Sequence, residues 1–292
     1  MTSECNFPRG NEKKFNKWLV EEYFKHGSVD EVLKKHRFDI PISYAQYQRV
    51  LDKWGIIKTA GPNNKLTETL DFIYNLTEKN IPLEELYKRM PSSFRTSAAT
   101  MYRILSYMKE GITRRMGTAL VITSRVNERK ILVGKDVSTP RIELGKPYGS
   151  ISIPMGFSRK RDPREMAILR VFQQEVFMKK AVDKKIPKVI PPLPKPFMFL
   201  DIADVRVEIF HIRLPKKLSN TKSFSSHKMK NYKFVNIDSV VGKKKLNLRI
   251  GVSEAVQGYQ KYLKLRKRNL SFNPLQYKSN LNYYLAQSVV ED

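Results

Sequence analysis

Residues 156–175, which read GFSRKRDPREMAILRVFQQE, contain the pattern that decides the fold of the second half of the chain. An extended stretch from Ser150 to Pro154 precedes them and is typical of a β-strand. A basic loop is predicted over residues 155–162. A helix is then predicted from Pro163 to Met178, because proline and an early glutamate, Glu165, suit a first helical turn. The segment is therefore predicted to run strand, loop, helix.

The flanking sequence indicates a mixed α/β domain. Thr118 to Arg125 and Lys130 to Lys135 are rich in Val, Ile and Leu and are predicted as strands, joined by a turn at residues 127–128. Further strands are predicted at Val205 to Leu214, Lys233 to Ile237 and Leu246 to Ile250. A last helix is predicted from Ser253 to Arg268. Residues 117–268 are thus expected to form one domain.

The stretch at 156–175 resembles the Nudix box, whose pattern is G-x5-E-x7-R-E-U-x-E-E-x-G-U, where U is apolar. The matching positions are Gly156 for the first glycine, Asp162 for the first glutamate, Arg170 for the arginine, Phe172 for the apolar residue and Glu175 for the second glutamate of the closing pair. Residues 232–238 also resemble a late strand of that family. The resemblance implies a Nudix-like mixed α/β sandwich.

The sequence departs from the Nudix box at the residues that carry its chemistry. In the family, glutamates on the box helix hold divalent cations that bridge a diphosphate and activate water. Here Val171 and Gln174 replace two of those three glutamates, and only Glu175 remains. Asp162 would lie about 20 Å from Glu175 if helical rise applied throughout. The sequence therefore argues against hydrolase activity and predicts no cofactor, with Mg²⁺ required only if the chain is a hydrolase after all.

Basic side chains replace the lost acids. Arg159, Lys160, Arg161 and Arg164 are expected to surround the place where a Nudix hydrolase keeps its cation and phosphates. A second basic cluster is Lys243, Lys244 and Lys245. These seven residues are predicted to bind phosphate or another anion.

The charge of the chain predicts an anionic partner. There are 55 Lys and Arg against 28 Asp and Glu, a net charge of 55 − 28 = +27. Residues 1–115 account for 20 − 14 = +6, and residues 116–292 for 35 − 14 = +21. Such an excess favours nucleic acid or a nucleotide polyphosphate. The sequence contains no uninterrupted apolar stretch of membrane-spanning length, so no membrane partner is expected.

The first half of the chain contains an internal repeat. Residues 29–51 align without a gap with residues 83–105, and the two copies share Glu31 with Glu85, Ser43 with Ser97 and Arg49 with Arg103. Each copy is predicted to form three helices, of which the last two are joined by a tight turn. The repeat therefore predicts two helix-turn-helix units, at residues 10–58 and 65–115, with the Nudix-like domain at 117–268 and a tail at 269–292.

The third helix of each unit is predicted to face a DNA groove. The candidate DNA-binding residues are Ser43, Tyr44, Gln46, Gln48, Arg49 and Lys53 in the first unit and Thr96, Ser97, Thr100 and Arg103 in the second. Arg can pair with guanine and Gln with adenine through two hydrogen bonds, while Ser and Thr at a helix start suit phosphates. The alternative is that these residues form the solvated faces of a small helical bundle.

These observations predict a DNA-binding protein, a transcriptional regulator with a cytoplasmic, nucleoid-associated location. Double-stranded DNA is the expected partner, with a nucleotide or phosphorylated small molecule as effector and a homodimer as a further possibility. One alternative is a divergent metal-dependent Nudix hydrolase of nucleoside diphosphate derivatives, with Asp162, Glu165, Glu175 and Glu208 as candidate ligands. A second alternative is an RNA-binding or ribosome-associated protein.

Cysteine and histidine usage argues against other metal sites. Cys5 is the only cysteine, which excludes a zinc site built on several thiolates. The four histidines, His26, His36, His211 and His227, show no close spacing that would direct two imidazoles at one ion. A histidine-based metal site is therefore not expected from the sequence.

Overall fold

The computed structural model describes residues 7–8, 10–59, 115–140, 145–241, 247–268 and 273–282. Most of the second predicted helix-turn-helix unit lies outside these residues, including Thr96, Ser97, Thr100 and Arg103. Lys243, Lys244 and Lys245 also lie outside them, as does most of the predicted tail. The predictions made for those residues stay predictions.

Three short helices form the N-terminal unit. They are α1 (Glu12–His26), α2 (Val29–Lys35) and α3 (Tyr44–Lys53). Side chains at the N-caps begin all three, since the oxygens of Asn11, Ser28 and Ser43 each accept a hydrogen bond from a backbone amide of the first turn. Gly27 ends α1 at a φ of 85°, a left-handed conformation that favours glycine. Local sequence therefore sets the helix boundaries.

Strands and helices alternate through the rest of the described chain. In order they are β1 (Arg115–Ser124), β2 (Lys130–Asp136), β3 (Ile151–Ser152), β4 (Met155–Ser158), α4 (Arg164–Val171), a π-helical turn (Phe172–Val176), α5 (Met178–Val182), β5 (Met198–Ile202), β6 (Val205–Leu214), β7 (Met229–Asn236), α6 (Ile237–Val241), α7 (Val252–Lys267) and β8 (Leu275–Lys278). Short 3-10 turns occupy Lys216–Leu218 and Thr221–Ser223.

The strands form one mixed sheet of eight strands. Its main order is β3-β2-β1-β6-β5-β8, with β4 also paired to β1 and β7 to β2. The central pair, β1 and β6, is parallel over ten positions, from Arg115 opposite Val205 to Ser124 opposite Leu214. The antiparallel pairing of β4 with β1 brings the start of the box, at Gly156, beside Thr118. The sheet thereby fixes the position of the box loop.

Both faces of the sheet are covered by helices. Along β1, Ala119 and Val121 pack on one side with α7, while Leu120 and Ile122 pack on the other with α4 and the π-helical turn. This division follows from the strand period of two, which sends successive side chains to opposite faces. Burial on both faces explains why β1 is continuously apolar rather than alternating. The result is a mixed α/β sandwich with helices on both sides.

The structure corrects the predicted secondary structure near the box in two places. The predicted loop at 155–162 begins with strand β4, because those residues pair with β1. The predicted helix from Pro163 to Met178 is not continuous. It starts at Arg164, changes to a π-helical turn at Phe172 and resumes as α5 at Met178. The predicted strand at Leu246 to Ile250 appears in its described part only as an isolated bridge from Leu248 to Ile151.

The N-terminal unit packs on the end of the box helix. Met178, Ala181 and Val182 of α5 join the same apolar core as the buried side chains of α1, α2 and α3. Two polar contacts add to this packing. The Trp54 indole Nε1 donates to the Val182 carbonyl at 3.0 Å, and the Gln173 side chain accepts from the Ile57 amide at 2.8 Å while donating to the Gly55 carbonyl at 2.7 Å.

The helices in the described residues include none that combines the length and apolar character needed to cross a bilayer.

Candidate functional site

The end of the box helix is shaped by the π-helical turn. The Phe177 amide donates to the Phe172 carbonyl, five residues earlier, at 2.6 Å, which inserts one residue into the helical ladder. Phe172 and Phe177 are both fully buried, and their rings contact each other with centroids 5.4 Å apart. Turns of this kind are often found at functional sites. Here the turn contains Gln174 and Glu175, the last two positions of the box that carry polar chemistry.

Glu175 is a buried carboxylate attached to the box loop. Its Oε2 accepts a hydrogen bond from the Met155 amide at 2.8 Å, and the residue is only 7% exposed. Burial raises the pKa of the Glu175 carboxyl above its ordinary value, and the nearby carboxylate of Asp136 acts in the same direction. The positive charges of Lys228 and Arg249 act in the opposite direction. A carboxylate with a raised pKa is a stronger base than an exposed glutamate.

Three basic side chains lie around this carboxylate. The Lys228 ammonium donates to Gln174 Oε1 at 2.6 Å, and the Arg249 guanidinium to Asp136 Oδ2 at 3.3 Å. The Lys146 ammonium donates to Ser138 Oγ at 2.5 Å and to the Thr139 carbonyl at 2.9 Å. We name Lys146, Lys228 and Arg249 the cationic triad. Their charges make this end of the box strongly positive.

The cationic triad and Glu175 line a cleft with a volume of about 680 Å³. An apolar wall is formed by the box loop and by the start of the central strand pair, through Phe157, Val205 and Val207. Gly117 keeps this wall open, because a Cβ there would lie 3.3 Å from both valines. The opposite side of the cleft includes His26 and Ser28 of the N-terminal unit. The cleft is therefore shared by both parts of the described chain.

The predicted phosphate-binding residues at the start of the box do not line this cleft. Arg159, Lys160, Arg161 and Arg164 are exposed, and the Arg164 guanidinium pairs with Glu208 at 3.1 Å. Sequence reasoning instead missed all three members of the cationic triad. They are distant from the box in sequence, and only the folded sheet brings them to it.

The residues proposed from sequence as hydrolase ligands are not brought together. Asp162 pairs with the Arg170 guanidinium at 2.6 Å, Glu208 pairs with Arg164, and Glu175 accepts from a backbone amide. Among the described residues, none of these carboxylates, nor Glu165, belongs to a group of three acidic or histidine ligands within coordinating distance. Mg²⁺ requires several oxygen ligands in a near-octahedral arrangement. The side chains at the box therefore do not fit a magnesium ion.

The predicted DNA-binding residues of the first unit lie on or near α3. Ser43 and Gln46 form a capping box, in which each side chain bonds the other residue's backbone amide. Tyr44, Arg49 and Lys53 are exposed, and Gln48 is partly buried. The far end of α3 is docked, since the Lys53 carbonyl accepts from the Lys184 ammonium at 3.1 Å. The helix-turn-helix assignment of this unit stays a prediction.

The described part of the second half has a Nudix-like fold, a mixed sheet between helices with the box running from β4 into α4. No known family model matches the chain, and no curated protein matches it. Solved structures are similar at low identity. A MutT protein from Methanosarcina mazei Go1 is 10% identical with a TM-score of 0.37, and the match covers 52% of this chain and 97% of that one.

Two further solved structures illustrate the range of similar proteins. An Ap4A hydrolase from C. elegans is 14% identical with a TM-score of 0.35, covering 52% of this chain and 98% of that one. An ADP-ribose pyrophosphatase from Streptococcus suis is 14% identical with a TM-score of 0.36, covering 57% and 99%. The likeness concerns the fold of about half of the chain.

Two predictions from the sequence are corrected at this point. The prediction of a DNA-binding regulator with an inactive Nudix-like domain is wrong, because the similar structures are described as hydrolases and because the box helix opens on a shared, cationic cleft. The prediction that no cofactor is used is also wrong. The Nudix likeness brings a divalent metal with it, and Glu22, His26 and His36 form a group with metal-binding chemistry.

Proposed function

We propose that the chain is a divergent Nudix-type hydrolase that binds and cleaves nucleoside diphosphate derivatives in the cleft at the end of the box. The observation that carries the proposal is the cationic triad, Lys146, Lys228 and Arg249, arranged around the buried carboxylate of Glu175. The cleft volume of about 680 Å³ lies within the usual range for sites that enclose a small organic ligand.

The cationic triad supports the choice of ligand. A diphosphate linkage carries negative charge on several oxygens, and three neighbouring cations match that charge without a carboxylate-bound metal at the box. These side chains are already held by hydrogen bonds to Gln174, Asp136 and Ser138. Preorganised cations stabilise charge that develops on phosphoryl oxygens during cleavage. The apolar wall at Phe157, Val205 and Val207 suits the nucleoside part of such a ligand.

Glu175 supports the choice of reaction. Hydrolysis of a diphosphate joins a water oxygen to one phosphorus, breaks that phosphorus–oxygen bridge and releases one proton. We assign the acceptance of the water proton to the Glu175 carboxylate, whose raised pKa makes it a better base. Its other bond, from the Met155 amide, holds the carboxylate against the box loop. Because no ligand set for magnesium is assembled at the box, no step in this scheme passes through a metal there.

The proposal is tested by turnover of a substrate panel. The panel contains ADP-ribose and Ap4A, which are the compounds named for two of the similar structures, together with nucleoside triphosphates. Each is incubated with Mg²⁺, Mn²⁺ or Zn²⁺ and with a chelator, and nucleotide release is measured. We expect release from at least one nucleoside diphosphate derivative. Absence of release from every compound with every metal would refute the proposal.

Variants divide catalysis from binding. We expect Glu175→Gln to lower kcat by at least about 100-fold, the usual contribution of a general base. Lys228→Met is expected to raise KM, because it removes one cation from the cleft. Arg164→Met is the matched control, since Arg164 is a box cation outside the cleft. Unchanged kcat in Glu175→Gln, or an equal loss in Arg164→Met, would contradict the assignment.

The remaining partner predictions have no support beyond the sequence. Double-stranded DNA and a homodimer stay predictions. A nucleotide or phosphorylated small molecule, predicted as an effector, would on this proposal be the ligand of the cleft.

A further inference from the structure

The N-terminal unit contains a compact group of ligand-type side chains that the hydrolase proposal does not use. Glu22 and His26 are four residues apart on α1 and therefore lie on the same helix face. His36 is the C-cap of α2, and the turn at Gly27 folds α2 back along α1. We name Glu22, His26 and His36 the Glu–His cluster.

The distances within the Glu–His cluster suit one small cation. Glu22 Oε2 lies 2.8 Å from His36 Nε2 and 3.3 Å from His26 Nε2. One ligand atom from each of the three residues lies within 4.8 Å of the others. In a tetrahedral zinc site with bonds of about 2.0–2.1 Å, neighbouring ligand atoms are about 3.3 Å apart. Only small side-chain movements would therefore be needed to bring all three onto one ion.

The surroundings leave one side of the cluster without a matching group. His26 Nε2 is buried and has no hydrogen-bond partner, although it lies close to the Glu22 carboxylate. Lys25 pairs with the other carboxylate oxygen, Oε1, at 3.3 Å, so that Oε2 is the atom directed at the two imidazoles. The ring of Trp18 packs edge-on against His36 at 5.2 Å and fixes its orientation.

We propose that Glu22, His26 and His36 bind a divalent first-row transition metal ion, with Zn²⁺ as the representative. Two imidazole nitrogens and one carboxylate are a typical ligand set for zinc, whereas Mg²⁺ prefers oxygen ligands alone. A set of three protein ligands leaves a position for water or for a ligand oxygen. His26 also lines the cleft, so the metal site lies at the margin of the proposed catalytic cleft.

This site does not rest on the hydrolase proposal, because its residues come from the N-terminal unit and none of them is needed for the cationic triad or Glu175. Binding of a metal would join α1 to the end of α2 and would add positive charge to the N-terminal wall of the cleft. The test therefore measures metal binding directly rather than turnover.

The first experiment uses the full wild-type chain. After removal of metals, the protein is titrated with Zn²⁺ under equilibrium dialysis and the bound metal is measured by elemental analysis, with Mg²⁺ in parallel. We expect one tightly bound Zn²⁺ per chain, a rise in Tm on zinc addition and no comparable effect of Mg²⁺. Substitution by Co²⁺ should give the visible absorption of a four-coordinate site. Failure of the wild-type protein to bind Zn²⁺ stoichiometrically would overturn the proposal.

Variants locate the bound ion. His26→Ala, His36→Asn and Glu22→Gln are each expected to weaken Zn²⁺ binding by at least about 100-fold, since loss of even an outer partner of a metal ligand costs 10–100-fold. Far-ultraviolet circular dichroism checks that each variant is folded. His227→Ala and Cys5→Ser are the controls, as the nearest other histidine and the only thiol. Zinc binding that survives in folded His26→Ala, or that is lost in either control, would overturn the assignment.

Discussion

The two ends of the Nudix-like box differ in how their charges are matched. At its beginning, Asp162 pairs with Arg170 at 2.6 Å and Arg164 pairs with Glu208 at 3.1 Å. At its end, Glu175 is buried without an ion-pair partner of its own and accepts a bond from the Met155 amide. Lys228 and Arg249 lie around it and face the cleft. The beginning of the box is an ion-paired scaffold, while its end presents charge to a ligand.

This difference shows that one motif can keep its structural half and change its chemical half. Arg170 also donates to the Lys58 carbonyl at 2.8 Å, so the beginning of the box attaches the segment that follows the N-terminal unit. The end of the box has lost two glutamates of the family pattern and gained cations from elsewhere in the chain. Retention of Arg170 and Asp162 is explained by packing, whereas retention of Glu175 is explained by its place in the cleft.

The largest expected effect is the loss of the ion pair at the beginning of the box. The Arg170 side chain is 4% exposed, and Arg170→Met leaves the Asp162 carboxylate and the Lys58 carbonyl without their donor. Removing one partner of a buried pair costs about 3–5 kcal/mol. We expect a loss of that size in the free energy of unfolding, measured by urea denaturation. Arg164→Met, which breaks an exposed pair, should cost at most about 1 kcal/mol. Similar losses in both variants would remove the distinction drawn for this end.

A smaller effect is expected where the N-terminal unit docks on the end of the box. Gln173 is buried and bonds both the Ile57 amide and the Gly55 carbonyl. Gln173→Ala would leave two backbone groups without partners, at a cost of about 2 kcal/mol. Hydrogen exchange at the Ile57 amide should become faster. Gln257→Ala on the exposed face of α7 is the control and should change neither quantity. Unchanged exchange at Ile57 in Gln173→Ala would show that the unit is not docked through this side chain.

Sequence patterns predicted the parts of the fold that local residues determine. The predicted strand from Val205 to Leu214 is confirmed as β6, and the capped starts of α2 and α3 lie where Ser28 and Ser43 predicted them. These features depend on neighbouring residues, on the strand period and on side-chain caps. The Nudix-like fold is confirmed on the same basis for about half of the chain.

The candidate site could not be predicted in the same way. The π-helical turn depends on the contact of Phe172 with Phe177 and on packing against the sheet, which no local pattern encodes. The cationic triad combines residues 146, 228 and 249, which only the folded sheet brings together, whereas closeness in sequence favoured Arg159 to Arg164. His26 and His36 lack a close spacing, and the turn between α1 and α2 brings their Nε2 atoms to one carboxylate.

The smallest expected effect separates the two carboxylates of the box by sign. Burial raises the pKa of Glu175 above its ordinary value, 4.5, so its protonated form is favoured by folding. That contribution is present at low pH and is lost as the pH rises from 4.5 through the raised pKa. Glu175→Gln removes the buried charge. We expect this variant to gain stability relative to wild type as the pH rises over that window, by less than the loss in Gln173→Ala.

The same carboxyl-to-amide change at the other end should act in the opposite direction. Asp162→Asn weakens the pair with Arg170 and leaves a buried guanidinium less well matched, so it should destabilise the fold at neutral pH. Urea denaturation of both variants from pH 4 to pH 8 measures the two signs. A stabilising Glu175→Gln that also loses turnover would be typical of a residue kept for function at the expense of stability. Destabilisation by Glu175→Gln at neutral pH would instead make both ends of the box structural.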